Sequence, residues 1–347
     1  MPPSPRPPLV DALRTARRRA LPIASFPGAQ LTGATVLDLA TSATAQTEAI
    51  LALNDRLRLP ALLTCMDLSV EAEAFGAATH FGEDEVPTIH GRHVTTLAEA
   101  ENLPVPRIGT ARTAIQPEVI RNLVRARPEL PVVAGATGPF SLAARLLGTT
   151  ESMVLTLQDP ALVQAVLERV VCFMRTWLTQ LRDAGASAVF MAEPTAGLLS
   201  PRGLATFSTE PVRAVTEGLD SPAFRVILHN CAARPVHLPA IAATGLSAFH
   251  FGAPMDLEQA LTSLLSESLV LGNLDPTAVF LTGTPDSVAA AFGQLHGRLG
   301  LDPRWVPSSG CDIPRRCALG NLEAFLEAVE QPTQAAVPVG RESLQRR

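Results

Sequence analysis

At 347 residues, 47% of them hydrophobic, the chain is long enough to bury one large α/β core or two smaller ones. Its 28 basic and 33 acidic residues leave a net charge of −5 with no extended basic stretch, which argues against a nucleic-acid partner. Every basic side chain other than histidine is arginine: without lysine, Schiff-base catalysis and P-loop phosphate binding are excluded, and without tyrosine no phenol can act as an acid.

Along the chain, residues 1–8 are expected as a flexible tail and residues 9–347 as a single domain. The stretch Met1 to Ala20 has no apolar core of signal-peptide length, and no run of about 18 apolar residues occurs anywhere. No membrane span is therefore expected, and a cytoplasmic setting is. The five cysteines, Cys65, Cys172, Cys231, Cys311 and Cys317, are scattered and odd in number, as suits reduced thiols rather than a disulfide framework. Residues 9–60 read as a helical lead-in across one end of the domain, in which Arg14, Arg17, Arg18 and Arg19 are expected on a solvated helix face.

From Pro131 onward, short β-branched runs alternate with amphipathic stretches. Strands are predicted at Pro131–Gly135, Ala188–Met191, Arg225–Leu228, Ser247–Phe251, Leu269–Leu271 and Arg304–Pro307. The clearest helix runs from Asp159 to Ala184: Asp159 suits the N-cap, Pro160 the first turn and Gly185 the exit. Its apolar residues Val163, Val166, Leu167, Val170, Met174, Trp177 and Leu181 recur at helical spacing. Repeated strand–helix units imply a parallel sheet, and about eight of them close into a (β/α)8 TIM barrel, here with an N-terminal helical extension.

A barrel concentrates its chemistry where strands end. His229 and Cys231 follow the run Arg225–Leu228, and Cys311 follows Arg304–Pro307 in a glycine turn. One imidazole and two thiolates suit Zn²⁺, and three protein ligands leave a fourth position open, as in catalytic sites. Two other readings of the same residues stand beside this one. Cys311 could be a nucleophile with His229 as its base, or a redox partner of Cys317. Glu193 and His250 also end strands and are candidate catalytic groups; the plainer readings are a cap or ion pair for Glu193 and a satisfied core histidine for His250. Asn273 and Asp275, in Gly272-Asn273-Leu274-Asp275-Pro276, are candidate substrate-binding residues. His80, His90, His93, His237 and His296 have no ligand spacing. Cys65, Cys172 and Cys317 read as packing residues.

In order along the chain, these segments resemble the uroporphyrinogen decarboxylase superfamily, and within it the methylcobamide:coenzyme M methyltransferase branch. The residues that carry the resemblance are Met66–Gly76, Gly138-Pro139-Phe140-Ser141, Glu193-Pro194-Thr195-Ala196 with Leu199-Ser200-Pro201, His229-X-Cys231 with Gly310-Cys311, and Gly272–Pro276. The resemblance implies a TIM barrel holding zinc through His229, Cys231 and Cys311. It also implies transfer of a methyl group between a corrinoid (a methylcobamide) and a small thiol, since a thiol coordinated to zinc is deprotonated. No corrinoid-binding Asp-x-His-x-x-Gly motif occurs, so the methyl carrier is expected to be a separate corrinoid protein or free methylcobalamin.

Two departures stand out. The His-x-Cys-Gly of many relatives is His229-Asn230-Cys231-Ala232 here, and the acidic residue that some relatives carry after the next strand falls at Gly252. Water is the expected fourth ligand, with His250 or Glu193 as the protein alternatives. A decarboxylase resembling uroporphyrinogen decarboxylase is a second reading, but Leu21–Gly28 lacks the substrate-binding arginines that such enzymes carry there. A non-catalytic corrinoid- or tetrapyrrole-binding protein is a third.

Overall fold

The computed structural model describes residues 7–300 and 302–331; most of the expected tail, and the end of the expected domain, lie outside that range. Seven parallel strands form one curled sheet in the order β1-β4-β5-β6-β7-β8-β9. They are β1 (Leu62–Leu63), β4 (Val132–Thr137), β5 (Ala188–Ala192), β6 (Arg225–Asn230), β7 (Ala248–Phe251), β8 (Leu269–Leu274) and β9 (Trp305–Ser309). The intervening β2 (Thr79–His80) and β3 (Thr88–Ile89) pair as a small antiparallel hairpin outside the sheet.

The eighth wall position is filled by a piece of the lead-in that is not helical. Helices cover Leu9–Thr15, Ala29–Thr32, Val36–Thr41 and Ala43–Leu57, but residues 19–24 are extended. On one side Leu21 N donates to Pro307 O at 3.0 Å and Ile23 N to Ser309 Oγ at 2.9 Å. On the other, Met66 N donates to Ser25 Oγ at 3.2 Å, just beyond β1. The segment satisfies the backbone of β9 through only one main-chain bond near Leu21, so it never reads as a strand.

Side chains alternate across each strand, and this divides the core in two. Leu63, Val133, Phe190, Ile227, Ala248, Leu271 and Val306 meet inside the barrel, together with Leu21 and Ile23 from the closing segment. Their neighbours Leu62, Val132, Val189, Val226, Phe249, Val270 and Trp305 face outward into the layer of helices. The helix Pro160–Ala184 follows its predicted signals: Asp159 accepts from Leu162 N, and Gly185 leaves with φ 115°. Its buried Val163, Val166, Val170, Phe173, Met174 and Trp177 join the outer core, each large side chain contributing about 1.5–3 kcal/mol.

Candidate metal centre

Two residues beyond Ile227 on β6, His229 lies on the same inward face, and two beyond Ala248 on β7 lies His250. The register pairs them directly, and they are 2% and 0% exposed. β6 then ends and the chain turns at Cys231; β9 ends at Ser309, and Gly310-Cys311 turns beside it. One donor atom each from His229, Cys231 and Cys311 lies within 4.8 Å of the others. The two arms of the predicted ligand set, 80 residues apart in sequence, thus meet across the strand ends.

The spacing suits a tetrahedral ion. With metal–sulfur and metal–nitrogen bonds near 2.3 and 2.0 Å, a tetrahedral S···N edge is about 3.5 Å. Cys311 Sγ and His229 Nε2 are 3.6 Å apart. The other ring nitrogen of His229 is occupied, because Nδ1 lies 2.8 Å from Nδ1 of His250. His250 Nε2 in turn meets Ser308 Oγ at 2.9 Å, and Ser308 donates to Leu21 O at 2.6 Å. Both ring nitrogens of His250 are therefore engaged. Burial, and then the neighbouring His229, hold His250 well below the ordinary histidine range.

The two thiols are electrostatically unequal. A hydrogen bond from Cys311 lowers Cys231, while that bond and burial raise Cys311. A bound cation would supply the charge that stabilises both thiolates together.

The glycine at 252 has a direct reason. A Cβ there would lie 2.1 Å from Cys231 O and 2.7 Å from its Cα, so β7 can pass the Cys231 loop only without a side chain. Asn273 braces the same place, donating from Nδ2 to Gly252 O at 3.0 Å and to Met255 O at 2.7 Å. Asp275 accepts from Thr277 N and Ala278 N, both at 2.8 Å, and caps the turn that follows β8.

Glu193 is 1% exposed, and its carboxylate oxygens accept from Phe140 N and Ser141 N at 2.8 Å, at the start of the helix Pro139–Leu147. Burial raises this carboxyl to about 7, against the pull of those donors and of Ser208. For a raised acid, the stability contribution is complete below the unfolded value near 4.3 and is lost as pH rises through about 7. Relative to Glu193→Gln, the wild type is expected to lose up to about 3 kcal/mol between roughly pH 4.5 and 8. Urea unfolding at both pH values checks this; a constant difference would mean that the helix terminus keeps the carboxylate ionised throughout.

Two further residues carry no signal in the sequence. Ser308 belongs to the site only through His250. Arg145, on the helix that Glu193 caps, lines a cavity of about 400 Å³ with Met66, Leu68, Pro87, Ile89 and Thr195. Met66 and Leu68 follow β1 and Thr195 follows β5, so the cavity opens at the strand ends. Burial lowers Arg145 below the ordinary arginine value, and its recorded hydrogen bond is to Ser141 O at 3.2 Å. Among the described residues it forms no ion pair. A larger cavity of about 630 Å³ lies elsewhere, lined by Thr15, Arg18, Asn54 and Arg58; neither cavity is lined by His229, Cys231 or Cys311.

Known proteins share this arrangement of strands. The profile of the uroporphyrinogen decarboxylase (URO-D) family matches residues 15–332. A methylcobamide:CoM methyltransferase, MtbA, of Methanosarcina mazei is 25% identical over 270 residues, which is 76% of this chain and 77% of that protein. A uroporphyrinogen decarboxylase of Pseudoalteromonas atlantica is 23% identical over 286 residues, 80% of this chain and 79% of the other. The fold superimposes on that of a methyltransferase from Methanosarcina mazei with a TM-score of 0.81, at 21% identity, covering 93% of this chain and 97% of that one. With a curled parallel barrel and a match over nearly its whole length, the chain belongs to the uroporphyrinogen decarboxylase family.

Proposed function

We propose that this protein is a zinc-dependent methyltransferase that moves a methyl group between a methylated corrinoid and a small thiol. The observation that carries the reading is the His229–Cys231–Cys311 cluster, whose 3.6 Å S···N edge suits a tetrahedral ion. The similarity to a methylcobamide:CoM methyltransferase supports it. Comparable similarity to decarboxylases speaks for the family alone, and a decarboxylase reading leaves this donor set unexplained. Zinc, when bound, would supply the positive charge that keeps the acceptor thiol deprotonated near neutral pH.

In this reading His229, Cys231 and Cys311 hold the ion, and their two thiolates moderate its charge so that the acceptor sulfur stays nucleophilic. His250 orients His229. Gly252 and Asn273 keep the Cys231 loop in register, Asp275 holds the exit of β8, and Glu193 fixes the helix that carries Arg145. The methyl carrier is free methylcobalamin or a separate corrinoid protein. Arg145, half-buried and without a carboxylate partner among the described residues, receives the anionic end of the acceptor.

The test is methyl transfer from methylcobalamin to a series of small thiols, followed by loss of the methyl–cobalt absorbance. Anionic thiols should react faster than neutral ones of the same size. Arg145→Met should raise KM for anionic thiols about tenfold or more with little change in kcat, and leave neutral thiols unchanged. Absence of turnover with every thiol, in protein containing zinc, would overturn the reading.

A further inference from the structure

We propose that His250, Ser308 and the carbonyl of Leu21 form a one-way hydrogen-bond chain that presets the tautomer of His229, leaving Nε2 free of hydrogen toward the two cysteine sulfurs. His250 and Ser308 are positioning residues in this scheme, acting on the ligand set through His229. The inference rests on the proposed metal site for its purpose, but its geometry is independent of any ion.

The direction of the chain follows from its end. A carbonyl oxygen only accepts, so at the 2.6 Å contact Ser308 Oγ must donate to Leu21 O. The hydroxyl has a single hydrogen, so at 2.9 Å from His250 Nε2 its oxygen accepts, and Nε2 must carry the hydrogen. His250 is fully buried, with Phe190 edge-on at 5.3 Å between ring centroids and no carboxylate among its hydrogen-bond partners. A neutral ring is the form such surroundings accept. Its Nδ1 is then an acceptor, and the 2.8 Å contact requires His229 Nδ1 to donate. What remains bare is His229 Nε2, the atom 3.6 Å from Cys311 Sγ. In metal proteins the hydrogen bond on one ring nitrogen selects the nitrogen that binds.

The anchor of this chain is the extended segment that fills the eighth wall position. The same segment also holds the other arm of the ligand set. Ile313 N donates to Ile23 O at 2.8 Å, and Ser25 Oγ donates to Asp312 at 2.6 Å, directly beside Cys311. The segment between two helices of the lead-in thus orients His229 through three atoms in series and braces Cys311 through its neighbour.

The experiment is ¹⁵N NMR of histidine-labelled, metal-free protein, as wild type, Ser308→Ala and Ser308→Thr, with zinc titrations of all three. In wild type, His229 should show a protonated, pyrrole-type Nδ1 and a bare, pyridine-type Nε2. Ser308→Ala should give averaged shifts at both nitrogens and about a tenfold weaker zinc affinity. Ser308→Thr keeps the hydroxyl and should restore the wild-type pattern. A protonated Nε2 on His229 in wild type would overturn the proposal, as would an unchanged pattern in Ser308→Ala. Should Ser308→Ala fail to fold, the wild-type spectrum alone still decides which nitrogen carries the hydrogen. Because the spectra are recorded without metal, a protein that binds no zinc would defeat the methyltransferase reading while leaving the tautomer result intact.

Discussion

Replacing Cys231 and Cys311 together by alanine is expected to abolish metal binding while leaving the barrel folded. Zinc content should fall from about one ion per chain to near zero, because a single imidazole cannot hold the ion that three converging ligands hold. Methyl transfer should fall about a thousandfold or more, the scale of several kcal/mol of lost charge stabilisation. Stability of the metal-free forms should change little. Both cysteines are only partly buried at a loop, and the inner and outer cores contain neither. Elemental analysis and thermal unfolding of both proteins check the two halves separately. One zinc per chain in the variant would remove these sulfurs from the ligand set. A metal-free wild type, from zinc-supplied cells and prepared without chelator, would end the zinc mechanism.

Gly252→Ala should weaken metal binding without replacing any ligand. The added methyl would sit 2.1 Å from Cys231 O, and its nearest contacts are backbone atoms that cannot swing away. Gly252 is itself held by Asn273 through its carbonyl, so the Cys231 loop is the side that must yield. Productive metal distances tolerate about 0.2 Å, and a shift several times larger should weaken zinc binding about a hundredfold or more. Gly293→Ala is the matched control. It lies inside the helix Pro285–Leu299 with open space around its Cβ direction, so alanine should stabilise the protein by about 0.5–1 kcal/mol and leave zinc affinity unchanged. Competition titration with a chromophoric chelator measures all three proteins. Wild-type affinity in Gly252→Ala would mean that the loop yields and that the close approach has no bearing on the ligands.

The same contact explains a departure noted in the sequence. Where the resemblance led to an acidic residue after β7, this chain has Gly252, and the backbone of Cys231 occupies the space a side chain would need. His250 and Glu193, the other protein groups considered for a fourth ligand, already use both ring nitrogens and both carboxylate oxygens in hydrogen bonds. Among the described residues the candidate cluster has three members, which would leave a bound ion one coordination position for water or substrate.

Sequence alone determined what depends on local pattern. Alternation of β-branched runs with helical periodicity specified the parallel barrel, and Asp159, Pro160 and Gly185 bounded the longest helix because capping chemistry is local. His229, Cys231 and Cys311 were legible as a set because few residue types bind soft cations and all three follow strand-like runs. Tertiary structure decided whatever depends on neighbours remote in sequence. The extended segment at Leu21 became part of the wall because β9 offered it partners, not because its own residues alternate. Ser308 joined the site through a carbonyl 287 positions away in the chain. Arg145 became notable only once folding had brought it to a cavity whose lining carries no carboxylate. Hydrogen-bond direction and close backbone approach are properties of pairs of residues, and a linear reading sees those pairs only when they are adjacent.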